Sequence, residues 1–248
     1  MHKCISFQTD INGIALPAEL NDPFDYEPHA LCQLAAVQVQ DYLSTQQDFN
    51  HNFGLGSANE DKTLKPIGKM FGVLVVRAGD TISFLAAFSG KLAGANAHAY
   101  FVPPVYDSLA AGSFLTPGML QLKAINTEIQ ALQAAGCKVQ QQVLQLKAKR
   151  RAHSQQLQSR LFDAYRFLNA AGDTRTPKQL FHTPPAGAGE CAAPKLLQYA
   201  FQHHLQPLAM AEFWYGVPPS AKQTSRDHLH FYPACEDKCS VVLGWMLG

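Results

Sequence analysis

Residues 70–88 read MFGVLVVRAGDTISFLAAF, and this stretch decides the fold class. Two apolar runs rich in strand-forming residues, 70–76 and 81–88, flank the sequence RAGD at 77–80. Because a turn sequence between two such runs is typical of a β-hairpin, the pattern predicts two antiparallel strands. The runs contain almost no polar residues, which indicates that the hairpin is buried.

A further strand is predicted at 208–215, LAMAEFWY, where aromatic and apolar residues again cluster. Helical spacing of apolar residues predicts one helix between about 28 and 46 and another after Pro194. We therefore expect an α+β fold. Its small, mainly antiparallel sheet is formed by about 70–88 and 208–215 and is packed with helices.

The region from 116 to 170 has a different pattern. Apolar residues recur there at alternating steps of three and four: Leu122, Ile125, Ile129, Leu132, Val139, Val143, Leu146 and Leu157. This spacing predicts a long helix or an antiparallel helical hairpin of coiled-coil character. A straight helix would extend about 80 Å, so we favour a hairpin that reverses near Gly136. We expect 116–172 to be an inserted helical arm, with 1–115 and 173–248 forming one α+β domain.

Composition narrows the class of protein. The chain has 248 residues, of which 47% are apolar and 16% are charged, and this is typical of a globular protein rather than a disordered one. No apolar run approaches the roughly 18 residues that span a bilayer, and the first ten residues do not resemble a secretory signal. We therefore expect a cytoplasmic protein without a membrane partner, in which the six cysteines stay reduced.

Charge is distributed unevenly along the chain although the net charge is only +1. Residues 1–66 contain three Lys and Arg against nine Asp and Glu, and residues 116–175 contain nine against three. A basic segment on a nearly neutral protein suggests contact with a polyanion. The alternative is that the acidic and basic parts face each other.

Within the basic segment, four residues form what we call the basic cluster: Lys147, Lys149, Arg150 and Arg151. Charges on a helical arm suit contacts with RNA phosphates, which position an RNA without reading its sequence. The alternative is a solvated helix face.

Cysteines supply a second candidate site. Cys235 and Cys239 are separated by three residues, and two thiolates at such spacing in a turn can bind one zinc ion. A structural zinc would need further ligands, for which the candidates are Cys191, Cys4, His228 and His230. The alternatives are two unrelated residues in a loop, or a redox pair.

The segment from Pro184 to Lys195 is the third candidate. Gly187 and Gly189 allow close backbone approach, and free amides at the start of the following helix, with Lys195, could bind an anion or an RNA phosphate. Cys191 at this position could instead be a nucleophile that works with a histidine. The remaining alternative is a tight turn that lets the helix pack.

Several phrases together resemble one family, the N-terminal extension of the long RluA-type RNA pseudouridine synthases. The phrases are GKMFGVLV at 68–75, LAAFSGKL at 85–92, FVPPVYD at 101–107, PPAGAGECAAPKLL at 184–197, AMAEFW at 209–214 and FYPACEDKC at 231–239. The resemblance covers nearly the whole chain, with 120–160 the least specific part.

The resemblance implies that the parent protein isomerises uridine to pseudouridine in ribosomal or transfer RNA, without a metal or organic cofactor. Its catalytic aspartate belongs to a His-Arg-Leu-Asp motif in a C-terminal synthase domain. This sequence lacks the motif, because its one Arg-Asp pair lies in Ser225-Arg226-Asp227-His228. We therefore assign no catalytic residue, and expect a non-catalytic accessory domain that assists RNA binding or positioning. The alternatives are a separate enzymatic module with Cys191 as nucleophile and a module that forms a homodimer through the arm.

Overall fold

The computed structural model describes residues 3–46, 51–56, 65–134, 140–219 and 226–248. Its helices and strands are, in chain order, α1 (Ala30–Thr45), β1 (Lys69–Ala78), β2 (Thr81–Phe88), α2 (Leu115–Ala134), α3 (Gln140–Ala164), β3 (Phe167–Leu168), β4 (Thr174–Arg175), α4 (Pro177–Leu180), α5 (Ala192–Gln202), β5 (Gln206–Tyr215), β6 (Phe231–Tyr232) and α6 (Glu236–Leu247).

The main sheet has four antiparallel strands in the order β2-β1-β5-β6, and β3 and β4 form a small second sheet. β1 and β2 are joined by the two residues Gly79 and Asp80, and Gly79 has a φ of +58°, which glycine adopts without strain. The predicted hairpin, the predicted strand at 208–215 and the α+β class are confirmed.

Both faces of the sheet are covered, which explains why β1 is apolar along most of its length. Phe71, Val73 and Val75 pack with α1 in one apolar core. Leu74 and Val76 point the other way, because side chains alternate across a strand, and they pack with α5 and α6 in a second core. The molecule therefore has three layers, with the sheet between α1 and the pair α5 and α6.

Gly72 lets α5 approach the sheet closely. A Cβ atom on Gly72 would lie 2.9 Å from the Cβ of Ala192 and 3.1 Å from Cδ1 of Leu196. The absence of a side chain therefore allows the first turn of α5 to sit directly on β1. Gly72 is paired with Glu212 of β5, so this close approach also brings α5 to Glu212.

α2 and α3 pack against each other in an antiparallel direction. Near one end, a ring nitrogen of His153 lies 3.2 Å from the carbonyl oxygen of Gly118. Further along, Ile125, Ile129 and Val143 form a small apolar core of their own. The region thus contains two helices rather than one straight helix, while its coiled-coil character is not confirmed.

Two of the predictions made for the arm are not decided by the described residues. The predicted reversal at Gly136 and the seam residue Val139 lie outside the described residues. The predicted division into 1–115 with 173–248 and an inserted arm at 116–172 stays a prediction.

The C-terminal residues form a helix, where the sequence reasoning expected Cys235 and Cys239 in a turn. Cys235 is the N-cap residue of α6, and Cys239 lies in its first turns. Glu236 and Asp237 occupy the first turn, where negative charges stabilise the positive end of the helix dipole. The expectation of a turn was therefore wrong, and the two cysteines share one side of a helix start.

Within the described parts of the chain, no helix combines the length and the apolar character that crossing a membrane requires.

Candidate functional site

Two helix N-termini and one strand meet on the side of the sheet that α5 covers. Cys191 is the N-cap residue of α5 and Cys235 is that of α6, and neither side chain caps its own helix. Between them lies Glu212 on β5, a strand that is otherwise apolar around this position. The sequence reasoning singled out the cysteines but not Glu212.

Glu212 accepts a hydrogen bond from the free amide of Ala193, at 2.9 Å from its Oε1. The carboxyl group therefore satisfies one of the amides that a helix leaves unpaired at its N-terminus. The residue is only 2% exposed. Burial raises its pKa from 4.5 to about 7, although the Ala193 amide and the charge of Arg226 act in the opposite direction.

Lys195 projects from α5 into the protein rather than into solvent. Its ammonium group donates to the carbonyl oxygens of Phe88, at 2.7 Å, and Gly90, at 3.0 Å. The residue is 3% exposed, and burial lowers its pKa to about 8. Lys195 therefore joins α5 to the end of β2, an arrangement that does not favour direct contact with a phosphate.

The loop that contains Gly187 and Gly189 makes packing contacts and hydrogen bonds with other parts of the protein. A Cβ on Gly189 would lie 2.3 Å from the ring of Phe167, so this glycine is needed for packing. The carbonyl oxygen of Gly187 accepts from the amide of Glu190, whose own carbonyl accepts from Gly90. These contacts agree with the tight-turn alternative, and RNA contact at Gly187 and Gly189 stays a prediction.

The structure brings together the three cysteines that the sequence reasoning grouped. The thiol of Cys191 lies close enough to the thiols of Cys235 and Cys239 for both to influence its pKa. Interaction with Cys235 lowers the pKa of Cys191, but interaction with Cys239 and burial outweigh it, so that its pKa is raised. The pKa of Cys235 is raised as well, first by its interaction with Cys191 and then by burial.

The other cysteine and histidines considered as zinc ligands have different surroundings. Cys4 packs at the edge of the core around α5, His228 accepts from the amide of Gly216, and His230 pairs with Asp227. Among the residues that the structure describes, no group of three or more His, Cys, Asp or Glu side chains is arranged to hold a metal ion. The three cysteines are thus close together but are not arranged as ligands of one metal ion, and zinc binding stays a prediction.

A cavity of about 120 Å³ opens beside these groups, and we call it the Glu212 cavity. It is lined by Met70, Ser89, Cys191, Glu212, Trp214, Arg226, Pro233 and Cys235. The sequence reasoning missed Glu212, Trp214 and Arg226 as members of one site. One signal was available, because an acidic residue inside the apolar stretch at 209–214 is unusual unless it has a partner.

The basic cluster lies away from these residues, on α3. Lys147, Lys149, Arg150 and Arg151 are all exposed, and none forms an ion pair with another described residue. The structure therefore leaves these four charges available to a partner.

Comparison with known proteins adds no relative to this description. No family model, no curated protein and no solved structure matches the chain. The resemblance to the RluA-type extension therefore stays a prediction from the sequence.

Proposed function

We propose that this chain is an accessory domain that binds RNA and positions it for the synthase domain of an RluA-like pseudouridine synthase. The observation that carries this proposal is the basic cluster, which is exposed, unpaired among the described residues and borne by the helical arm. The chemistry itself is assigned to the C-terminal synthase domain of the parent polypeptide, because this chain lacks the His-Arg-Leu-Asp motif.

Local charge supports the proposal more strongly than net charge does. Helices α2 and α3 together contain six Lys and Arg, against the two acidic residues Glu128 and Asp163. Asp163 is already paired with Lys178 at 2.6 Å. The arm is thus strongly positive on a molecule whose net charge is +1, and a polyanion would be drawn to it.

The spacing of the cluster also suits a phosphate backbone. Lys147, Arg150 and Arg151 are three and four residues apart, so they lie on one side of α3. Because these side chains are already exposed, they can contact phosphates without a rearrangement of the protein. Such contacts do not depend on the base sequence. The arm would therefore hold RNA without selecting a target.

The test is the double variant Arg150→Ala with Arg151→Ala, measured by fluorescence anisotropy with a labelled single-stranded RNA. We expect its affinity at low salt to fall about tenfold, because two phosphate contacts are lost. The matched control is Lys65→Ala with Lys91→Ala, which removes two exposed charges from outside the arm. Circular dichroism would show that both variants keep their helices.

Three outcomes are informative. A large loss of RNA affinity in Arg150→Ala with Arg151→Ala, which we call the arm variant, supports the proposal if the control variant loses little affinity. Unchanged affinity in the arm variant would show that the basic cluster does not take part in RNA binding. An equal loss of affinity in both variants would show that only overall charge matters. The contact with the synthase domain and the homodimer through the arm stay predictions, and light scattering on the whole chain tests the latter.

A further inference from the structure

The Glu212 cavity is lined by one acidic and one basic side chain that are not paired with each other. No ion pair joins the carboxyl group of Glu212 to the guanidinium group of Arg226 among the described residues. One oxygen of Glu212 is used by the Ala193 amide. The Nη1 of Arg226 is buried and has no hydrogen-bond partner within the described part of the chain. Buried donors are nearly always satisfied in folded proteins, so this nitrogen points to a missing acceptor.

The side chains of Glu212 and Arg226 limit which kind of ligand can supply this acceptor. A phosphate would be attracted by Arg226 but repelled by the ionised form of Glu212, and a cation would be repelled by Arg226. A neutral group that carries an N–H donor beside a C=O acceptor satisfies both residues at once. The same reasoning disfavours a purely apolar occupant, which would leave Nη1 unpaired.

The walls and the size of the Glu212 cavity limit the kind of ligand further. Trp214, Met70 and Pro233 supply flat or apolar surface, and Arg226 lies over the rings of Tyr232, at 4.8 Å, and Trp214, at 5.9 Å. A volume of about 120 Å³ is well below the roughly 300 Å³ at which pockets for drug-sized molecules begin. The occupant is therefore a small flat group rather than a whole nucleotide.

We infer that the Glu212 cavity takes one unpaired nucleobase with a lactam edge, uracil or guanine, from the RNA that the arm binds. Glu212 would accept from the ring N–H of the base, and Arg226 would donate to the neighbouring carbonyl oxygen. Single-stranded RNA is commonly read in this way, through base edges and contact with aromatic side chains. This inference rests on the proposed function, to which it adds a preference for certain bases.

The experiment uses the full chain and four labelled RNA hexamers that are adenine except at one central position, which is U, G, C or A. Because the phosphates are the same in all four, contacts with the arm cancel in the comparison. We expect the U or the G hexamer to bind about tenfold more tightly than the C and A hexamers, since cytosine and adenine lack a ring N–H beside a carbonyl.

Variants separate the cavity from the arm. Glu212→Gln retains an acceptor for the Ala193 amide but adds a donor in the cavity, so the preference should fall to about twofold or less. Arg226→Met should have the same effect. Asp227→Asn, which changes the adjacent exposed carboxyl group, is the matched control and should retain the preference.

Equal binding of the four hexamers would overturn the inference, and so would a preference for C or A. A preference that survives in both Glu212→Gln and Arg226→Met would also overturn it. The arm variant Arg150→Ala with Arg151→Ala should weaken all four hexamers equally. If that variant binds normally while the preference for U or G persists, the proposal for the arm fails and the inference for the cavity stands. If instead the arm variant binds weakly but the native chain shows no preference, the inference for the cavity fails and the proposal for the arm stands.

Discussion

At the scale of single residues, Glu212 has the most unusual environment. A carboxyl group that is almost fully buried is costly to ionise, and its one amide partner and the charge of Arg226 offset only part of that cost. Its pKa of about 7 means that the folded protein holds this proton more tightly than the unfolded chain does. Stability should therefore depend on pH in a window that Glu212 defines.

We predict that Glu212→Gln changes this pH dependence. The stabilising effect of the protonated carboxyl is complete below about pH 4.5 and is lost as the pH rises to about 7. The variant and the native chain should have similar unfolding free energies at pH 4. At pH 8 the variant should be more stable, by up to about 3 kcal/mol. Urea unfolding at several pH values measures the difference, and a difference that does not vary with pH would contradict the prediction.

Cys191 carries a second prediction at this scale. Thiolates react and thiols do not, and the pKa of Cys191 is raised by its contact with Cys239 and by burial. No histidine lines the Glu212 cavity among the described residues. We therefore expect Cys191 to be alkylated slowly by iodoacetamide at pH 7 and faster as the pH rises, as followed by peptide mass spectrometry. Rapid alkylation at pH 7 would favour the alternative in which Cys191 is a nucleophile.

At the scale of elements, α5 and the arm differ in what holds them. α5 lies against the sheet, and residues of its first turn are fully buried against β1 and β5. The middle of the arm is held by a separate small core of Ile125, Ile129 and Val143. Because that core is separate from the two cores of the sheet, we expect the arm to open locally while the rest of the molecule stays folded.

The prediction for the arm concerns Ile129, which is 5% exposed. Ile129→Ala should remove about 2 kcal/mol or more of packing from the arm, because it empties part of the small core. Hydrogen exchange in α2 and α3 should become faster, while exchange in β1 and β5 should not change. Leu144→Ala is the control, since Leu144 is 62% exposed and such changes cost about 0.5 kcal/mol or less. Faster exchange throughout the chain would show that the arm does not unfold separately.

At the scale of the whole molecule, charge segregation is the main feature. The acidic N-terminal part and the basic arm nearly cancel, so RNA binding has to depend on the local field of the arm. If the four residues of the basic cluster each contact a phosphate, the slope of log affinity against log salt should be about −3 for single-stranded RNA.

That slope supplies the prediction for the whole molecule. Binding measured between low and physiological salt should show the expected slope in the native chain. In Arg150→Ala with Arg151→Ala the slope should fall to about half, roughly −1.4, because two of the four phosphate contacts are lost and fewer counterions are released. A slope that is the same in both proteins would mean that the cluster does not contact phosphates.

The sequence by itself determined the β1–β2 hairpin, strand β5 and the helical character of the arm. Each depends on neighbouring residues: a turn between apolar runs, or apolar positions at helical spacing. The helix α6 was missed because its thiols suggested a metal-binding turn, although Glu236 and Asp237 are typical of a helix start.

Only the tertiary structure decided the composition of the candidate site. Glu212, Arg226 and the amide of Ala193 come from three separate segments, and no local pattern records that they meet. They meet because Gly72 lets α5 lie directly on the sheet, and because β5 brings Glu212 under the start of that helix. The same packing turned Lys195 inward, since its ammonium group found the carbonyls of Phe88 and Gly90 at the end of β2. Side-chain chemistry could be predicted from the sequence, whereas the partners of each charge depended on how the layers pack.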